Sequence, residues 1–121
     1  MLINLSNHPI EVWSKNQFNE ALVLFTSIQD FPFPHIAASS SKKEVYNLAR
    51  KYYSICKRIL SKSSDKHNAV HIMGEHTFVF YLVTILKKHN IKCIASTTTR
   101  ISKQIGSEKT SLFNFVKFRE Y

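Results

Sequence analysis

The chain has 121 residues, with 17 Lys plus Arg against 8 Asp plus Glu and a formal net charge of +9. With 44% hydrophobic residues, the composition excludes wholesale disorder, so residues 1–121 are expected to form a single domain. No apolar run approaches the roughly 18 residues of a membrane span, and Met1–Leu5 lacks the basic start of a signal peptide. Two cysteines, Cys56 and Cys93, make no disulfide framework. The expectations are therefore no membrane, a cytoplasmic setting and reduced, packed thiols.

In chain order, Leu2–Leu5 is a short apolar strand that gives way to Ser6-Asn7-His8-Pro9. Ser14 and Gln17 form an S-x-x-Q capping box. Phe18, Ala21, Leu22 and Phe25 then follow at the spacing of one buried helix face. A short strand is predicted near Ser27–Phe31, closed by Phe31-Pro32-Phe33-Pro34, because two prolines cannot sit in a central strand. Ser41 and Glu44 make a second capping box, and Val45, Leu48, Ala49, Tyr52, Ile55, Ile59 and Leu60 trace the face of a long helix. Ser61–Asn68 is polar and loop-like.

Ala69–Met73 reads as a third strand, broken by Gly74-Glu75. Thr77–His89 is apolar almost all round. Its length, and Lys87, Lys88 and His89 at its end, predict a helix with Asn90 just past its C-terminus. Ile91–Ala95 is a fourth strand. Arg100–Ile105, Gly106-Ser107-Glu108 and Lys109–Glu120 then read as a β-hairpin. Simple alternation puts Leu112, Asn114, Val116 and Phe118 on one face of its last strand, and Phe113, Phe115, Lys117 and Arg119 on the other. Both faces carry apolar residues, which predicts a strand inside the sheet. The order β-α-β-α-β-α-β-β-β implies a small Rossmann-like α/β domain: three layers, a mostly parallel sheet and a C-terminal antiparallel hairpin.

Open α/β sheets bind ligands at the carboxyl ends of their strands. Ser6-Asn7-His8-Pro9, Gly74-Glu75-His76-Thr77 and Ser96-Thr97-Thr98-Thr99-Arg100 are the polar segments expected there. Each also has a plainer reading. The first is a turn, Glu75 is a first-turn helix stabiliser, and the third is a strand rich in threonine for its propensity. Read as a site, Gly74 permits close backbone approach next to the free N–H groups of a helix start. The hydroxyls of Ser96, Thr97 and Thr98 beside Arg100 make a phosphate cradle. An imidazole is the side chain suited to proton transfer near neutral pH, so His8 is the best general acid or base. No dinucleotide or Walker-type glycine loop is present. His71 reads as a satisfied core or pocket histidine, and no zinc spacing is seen. The positive charge favours an anionic partner, with RNA among the candidates.

The segments NLSNHP (Asn4–Pro9), AVHIMGE (Ala69–Glu75), IKCIASTTTR (Ile91–Arg100) and FNFVKFREY (Phe113–Tyr121) together resemble a family of small proteins encoded near type III CRISPR loci. Thr99 stands where that family's third segment often carries an acidic residue, so no catalytic role is carried to it. The resemblance implies a CARF-like fold and a homodimer that binds a cyclic oligoadenylate. It also implies, in ring nucleases, cleavage of that messenger by 2′-OH attack without metal or other cofactor. His8 and Arg100 are then the expected catalytic residues. Ser6, Asn7, Gly74, Glu75, His76, Thr77, Ser96, Thr97 and Thr98 are the expected ligand contacts. The alternatives are a non-cleaving sponge or sensor and a basic nucleic-acid-binding accessory protein.

Overall fold

Strand β1 (Leu2–Ser6) is buried at every position, as expected of a strand with neighbours on both sides and helices over both faces. The structure, a computed structural model, describes residues 1–121. Strand β2 (Ile28–Asp30) and strand β3 (Ala69–Met73) flank β1, and both run parallel to it. Strand β4 (Lys92–Ile105) pairs parallel with β3, and strand β5 (Glu108–Glu120) returns antiparallel along β4. The order β2-β1-β3-β4-β5 places a topological switch point between β1 and β3, where ligands of such sheets bind. This is the expected α/β class: a mixed five-stranded sheet, mostly parallel, with an antiparallel C-terminal pair.

Alternation along the strands sends successive residues to opposite faces. Ile3, Leu5, Val70, Ile72 and Cys93 pack with Val45, Ala49, Cys56 and Leu60 of helix α2 (Lys42–Ser61) and with Phe78, Leu82 and Leu86 of helix α3 (His76–Lys88). Leu2, Ala69 and Ile94 face the other way, onto Ala21 and Phe25 of helix α1 (Lys15–Phe25). A single helix on that face covers the sheet thinly. Phe18 and Leu22, expected to be buried, remain 37% and 38% exposed. Both cysteines are free and buried, and burial pushes each thiol up to about 12, so neither is a reactive thiolate.

The serine half of each capping box forms as read. Ser14 Oγ accepts from Gln17 N and Ser41 Oγ accepts from Glu44 N, opening α1 and α2. Asn90 adopts φ 59° just beyond α3, the left-handed conformation that ends a helix. The turn between β4 and β5 is the two-residue Gly106-Ser107, with φ 62° at Gly106.

Three expectations about the C-terminal region are corrected. Ser96–Arg100 does not leave the sheet: β4 runs unbroken from Lys92 to Ile105, so there are five strands, not six. Pairing with β3 stops at His71↔Ile94, and the rest of β4 continues with β5 as a two-stranded arm. Strand β5 is an edge strand, not an interior one; its apolar residues on the outer face, Leu112 and Val116 among them, stay exposed. The two faces of β5 also differ from simple alternation. Thr97 pairs with Lys117 but Thr98 pairs with Phe115, so Val116 is an extra residue, a β-bulge. One extra residue inverts every side chain beyond it. Phe113 and Phe115 therefore join Phe118 on one face, with Phe115 and Phe118 ring centroids 5.0 Å apart.

Gly74 has a packing role on the α2/α3 side of the sheet. A Cβ there would lie 2.3 Å from the ring of Phe33, which packs edge-on against Phe78 at 5.2 Å. Gly74→Ala is expected to destabilise the fold by about 1–3 kcal/mol through overpacking. Combining it with Phe33→Leu should return most of that loss. Thermal denaturation of the single and double variants checks this; an unaltered melting temperature in Gly74→Ala would mean the ring moves away freely.

Candidate functional site

A cavity of about 570 Å³ opens at the carboxyl end of the sheet, on the α1 face. Its lining comes from the chain after β1 (His8, Val12, Trp13, Ser14), from α1 (Gln17), from β3 (His71, Met73), from β4 (Ser96, Thr98) and from β5 (Phe113, Phe115). The volume lies within the range of small-molecule sites. The β-bulge supplies two of the walls, since without it Phe113 and Phe115 would point away.

The floor is a chain of hydrogen bonds across three central strands. Asn4 of β1 and His71 of β3 are 1% and 2% exposed. Asn4 Nδ2 donates to Asp30 Oδ1 (2.7 Å) and to the His8 carbonyl (2.9 Å), so its Oδ1 must face the other way. That oxygen accepts from Ser6 Oγ (2.8 Å) and from His71 Nδ1 (2.8 Å). With Nδ1 as the donor, the neutral imidazole presents a lone pair at Nε2, which accepts from Ser96 Oγ at 2.7 Å. Gln17 Nε2 donates to the same hydroxyl at 3.0 Å. Gln17 thus completes only half of its capping box: its backbone N–H caps α1 and its side chain reaches across to β4.

Aromatic rings enclose this network. Trp13 stands edge-on to His71 at 5.4 Å, Phe118 lies 5.6 Å from His71, and Trp13 lies 6.0 Å from Phe118. The indole Nε1 donates to the His8 carbonyl at 3.0 Å, which fixes both the ring and the turn after β1. Burial, with the nearby charge of His8 as a smaller cause, lowers the His71 pKa from 6.5 to about 4. The imidazole is therefore neutral at pH 7.

The expected site residues divide into two groups. His8, Ser96 and Thr98 line the cavity, and Ser6 lies beneath it through Asn4. Arg100 follows Thr98 on the same side of β4 and stands opposite Phe113, 5.8 Å from its ring centroid, at the outer rim. Its guanidinium donates to Ser111 Oγ. Gly74, Glu75, His76 and Thr77 are not among the lining residues. The approach that Gly74 allows is taken by Phe33. The N–H groups of Thr77 and Phe78 already donate to the Glu75 carboxylate, at 3.1 and 2.8 Å, and those bonds hold its pKa low. The α3 start thus carries its own anion. Thr97 turns to the opposite face and donates to the Lys117 carbonyl. The exposed Asn7 gives its backbone N–H to the Met73 carbonyl and does not line the cavity.

Trp13, Gln17, Phe113, Phe115, Asn4 and the functional side of His71 were missed in the sequence. One signal was available: Asn4 and His71 are polar residues in the middle of otherwise apolar strands, which requires a partner for each. No group of three or more His, Cys, Asp or Glu side chains is placed to hold a metal ion, and no helix is long and apolar enough to cross a membrane.

The buried imidazole gives stability a pH dependence. Its folded pKa lies below the unfolded value, so the unfolded chain binds the extra proton. The contribution is complete above about pH 6.5 and is lost as the pH falls toward 4; over that window it amounts to about 3 kcal/mol. His71→Gln should flatten this slope. Denaturant midpoints measured from about pH 7 to about pH 4.5 test it, and an equally steep slope in the variant would refute it.

Comparison with known proteins adds one result. No curated protein and no solved structure matches the chain. A family model, described as "Uncharacterized protein MJ1673 family", matches residues 1–119. That match spans nearly the whole chain, and the protein belongs to this family.

Proposed function

We propose that the cavity binds adenine nucleotides of a cyclic oligoadenylate messenger of type III CRISPR defence. The protein would act as a homodimeric, metal-independent ring nuclease. The observation that carries this reading is the cavity lining. Trp13, Phe113 and Phe115 offer faces on which a base can stack, His8, Gln17, Ser96 and Thr98 offer hydrogen bonds, and Arg100 stands at the rim. A base fits among these rings and its phosphate meets the guanidinium outside. The net charge of +9 draws a polyanionic ring toward the protein. In the cleavage step, the ribose 2′-oxygen, held in line with the adjacent phosphate, bonds to phosphorus as His8 takes its proton. The P–O5′ bond breaks, the 5′-oxygen leaves as a hydroxyl with a proton returned from His8, a 2′,3′-cyclic phosphate remains, and Arg100 offsets the charge that develops.

Surface area favours the second copy. The accessible surface is 8135 Å², whereas a compact monomer of 14.1 kDa exposes about 6,700 Å². The excess of about 1,400 Å² is comparable to what one partner contributes to a large interface. The β4–β5 arm presents Ile101, Ile105, Leu112 and Val116 to solvent. These residues suit a matching arm on a second chain, and two copies would offer each cavity twice to a ligand of repeating units.

Trp13 is the only tryptophan, so indole fluorescence reports on the cavity directly. Titration with cyclic tri-, tetra- and hexa-adenylate should change it for one ring size and yield linear products without added metal. Trp13→Phe removes the signal, so affinities of variants are read by calorimetry. Arg100→Ala should weaken binding about tenfold or more, and His8→Ala should slow turnover far more than it weakens binding. Binding with intact rings would identify a sponge or sensor. No response to any ring would remove the proposal. RNA affinity that falls steeply with salt would point instead to a nucleic-acid-binding accessory protein.

Sedimentation should give twice the chain mass. The pair Ile105→Asp and Leu112→Asp should give a folded monomer; a wild-type monomer at high concentration would refute the arm as an interface.

A further inference from the structure

Ser96, His71 and Asn4 form a continuous relay at the cavity floor. Ser96 Oγ meets His71 Nε2 at 2.7 Å, and His71 Nδ1 meets Asn4 Oδ1 at 2.8 Å. We propose that Ser96 is a nucleophile, with His71 as its base and Asn4 as the residue that orients the base, and that the site accepts small uncharged aryl esters. The proposal uses the same cavity as the nucleotide reading but a different reaction, and its labelling test needs no nucleotide.

Three features separate this arrangement from a merely satisfied core. First, the direction of the proton is determined. Asp30 and the His8 carbonyl occupy the Asn4 amide N–H groups, so the Nδ1 proton goes to Oδ1 and the Nε2 lone pair faces the serine. Gln17 Nε2 donates to Ser96 Oγ and occupies an oxygen lone pair, which leaves the hydroxyl proton aimed at His71. Second, both Ser96 and His71 line the cavity, so the hydroxyl is within reach of a ligand. Third, the Ser96 backbone N–H donates to the thioether of Met73 at 3.3 Å. A thioether is a weak acceptor, and an oxygen gaining negative charge would displace it. Pairing of β3 with β4 ends at Ile94, which is why that N–H lacks a ladder carbonyl; the Ile72 carbonyl accepts from the Tyr121 hydroxyl instead.

The substrate class follows from the lining. It contains no carboxylate, ammonium or guanidinium, and three of its walls are Trp13, Phe113 and Phe115. A flat, uncharged aromatic alcohol portion fits there. Ser96 Oγ attacks the ester carbonyl carbon while its proton passes to His71 Nε2. The bond from that carbon to the alcohol oxygen breaks, and the alcohol leaves with the proton from His71. Water then attacks the acyl-serine, its proton passes through His71 to Ser96 Oγ, and a carboxylic acid is released.

The test is covalent labelling of the full-length protein with an alkyl fluorophosphonate. A phosphorus–Oγ bond forms, the phosphorus–fluorine bond breaks, fluoride leaves and the proton goes to His71. Peptide mass spectrometry should find one label per chain, on Ser96, and none in Ser96→Ala. His71→Gln should slow labelling by about a hundredfold or more. With 4-nitrophenyl acetate, the wild type should release a burst of one nitrophenolate per chain that Ser96→Ala lacks. Asn4→Asp combined with Asp30→Asn, which keeps a donor and an acceptor between positions 4 and 30, should keep the label and move the acid limb of the rate profile upward, because a carboxylate beside the imidazole favours its protonated form. The titratable groups facing His71 are His8 and, through Asn4, Asp30; β4 and α1 face it with uncharged Ser96 and Gln17. Circular dichroism of Ser96→Ala and His71→Gln confirms that each variant folds. Absence of label on Ser96, or equal labelling rates in folded His71→Gln, overturns the proposal.

Discussion

The site depends on one buried hydrogen bond, from His71 Nδ1 to Asn4 Oδ1, that joins the two central strands through side chains rather than backbone. A histidine and an asparagine in the dry centre of a sheet each cost free energy unless every polar atom is paired. Here Asp30, Ser6, the His8 carbonyl and Ser96 complete the pairing, and no buried side-chain nitrogen or oxygen is left without a partner. Because the network spans β2, β1, β3 and β4, it ties the sheet's registers together on the face where the covering helix is thinnest. The same pairing fixes the tautomer of His71, and burial keeps the ring uncharged.

The second determinant is Val116. A regular ladder would have turned Phe113 and Phe115 away from α1 and left the carboxyl end of the sheet open to solvent. The bulge moves both rings onto the side of Phe118, and with Trp13 they make an apolar wall around a polar floor. Binding sites for small planar molecules combine these two elements. The cost is an arm whose other face carries exposed Ile101, Leu112 and Val116.

On the opposite side of the sheet, the features that most resembled an anion site are already filled from within. Glu75 takes the free N–H groups of α3 and Phe33 occupies the space left by Gly74. Both contacts fasten the β3–α3 connection. On the α1 face Arg100 lies at the rim, and the lining itself holds no carboxylate, ammonium or guanidinium.

The linear sequence was enough to determine the class of fold, because the signals involved are local. Apolar runs of five residues, serine caps followed three residues later by Gln17 and Glu44, and Asn90 after a cationic helix end each act through neighbours in the chain. It also placed His8 and Ser96 at the carboxyl edge, since strand direction follows from β-α-β order. The tertiary structure alone decided the rest. Whether Ser96–Arg100 leaves the sheet depends on a partner strand some twenty residues later, and which way Phe113 points depends on one unpaired residue that no periodicity reveals. That Asn4, His71, Gln17 and Ser96 meet is likewise a matter of three crossovers bringing distant segments to one face. A hydrogen bond forms only where distance and direction agree in space, and neither is encoded in spacing along the chain.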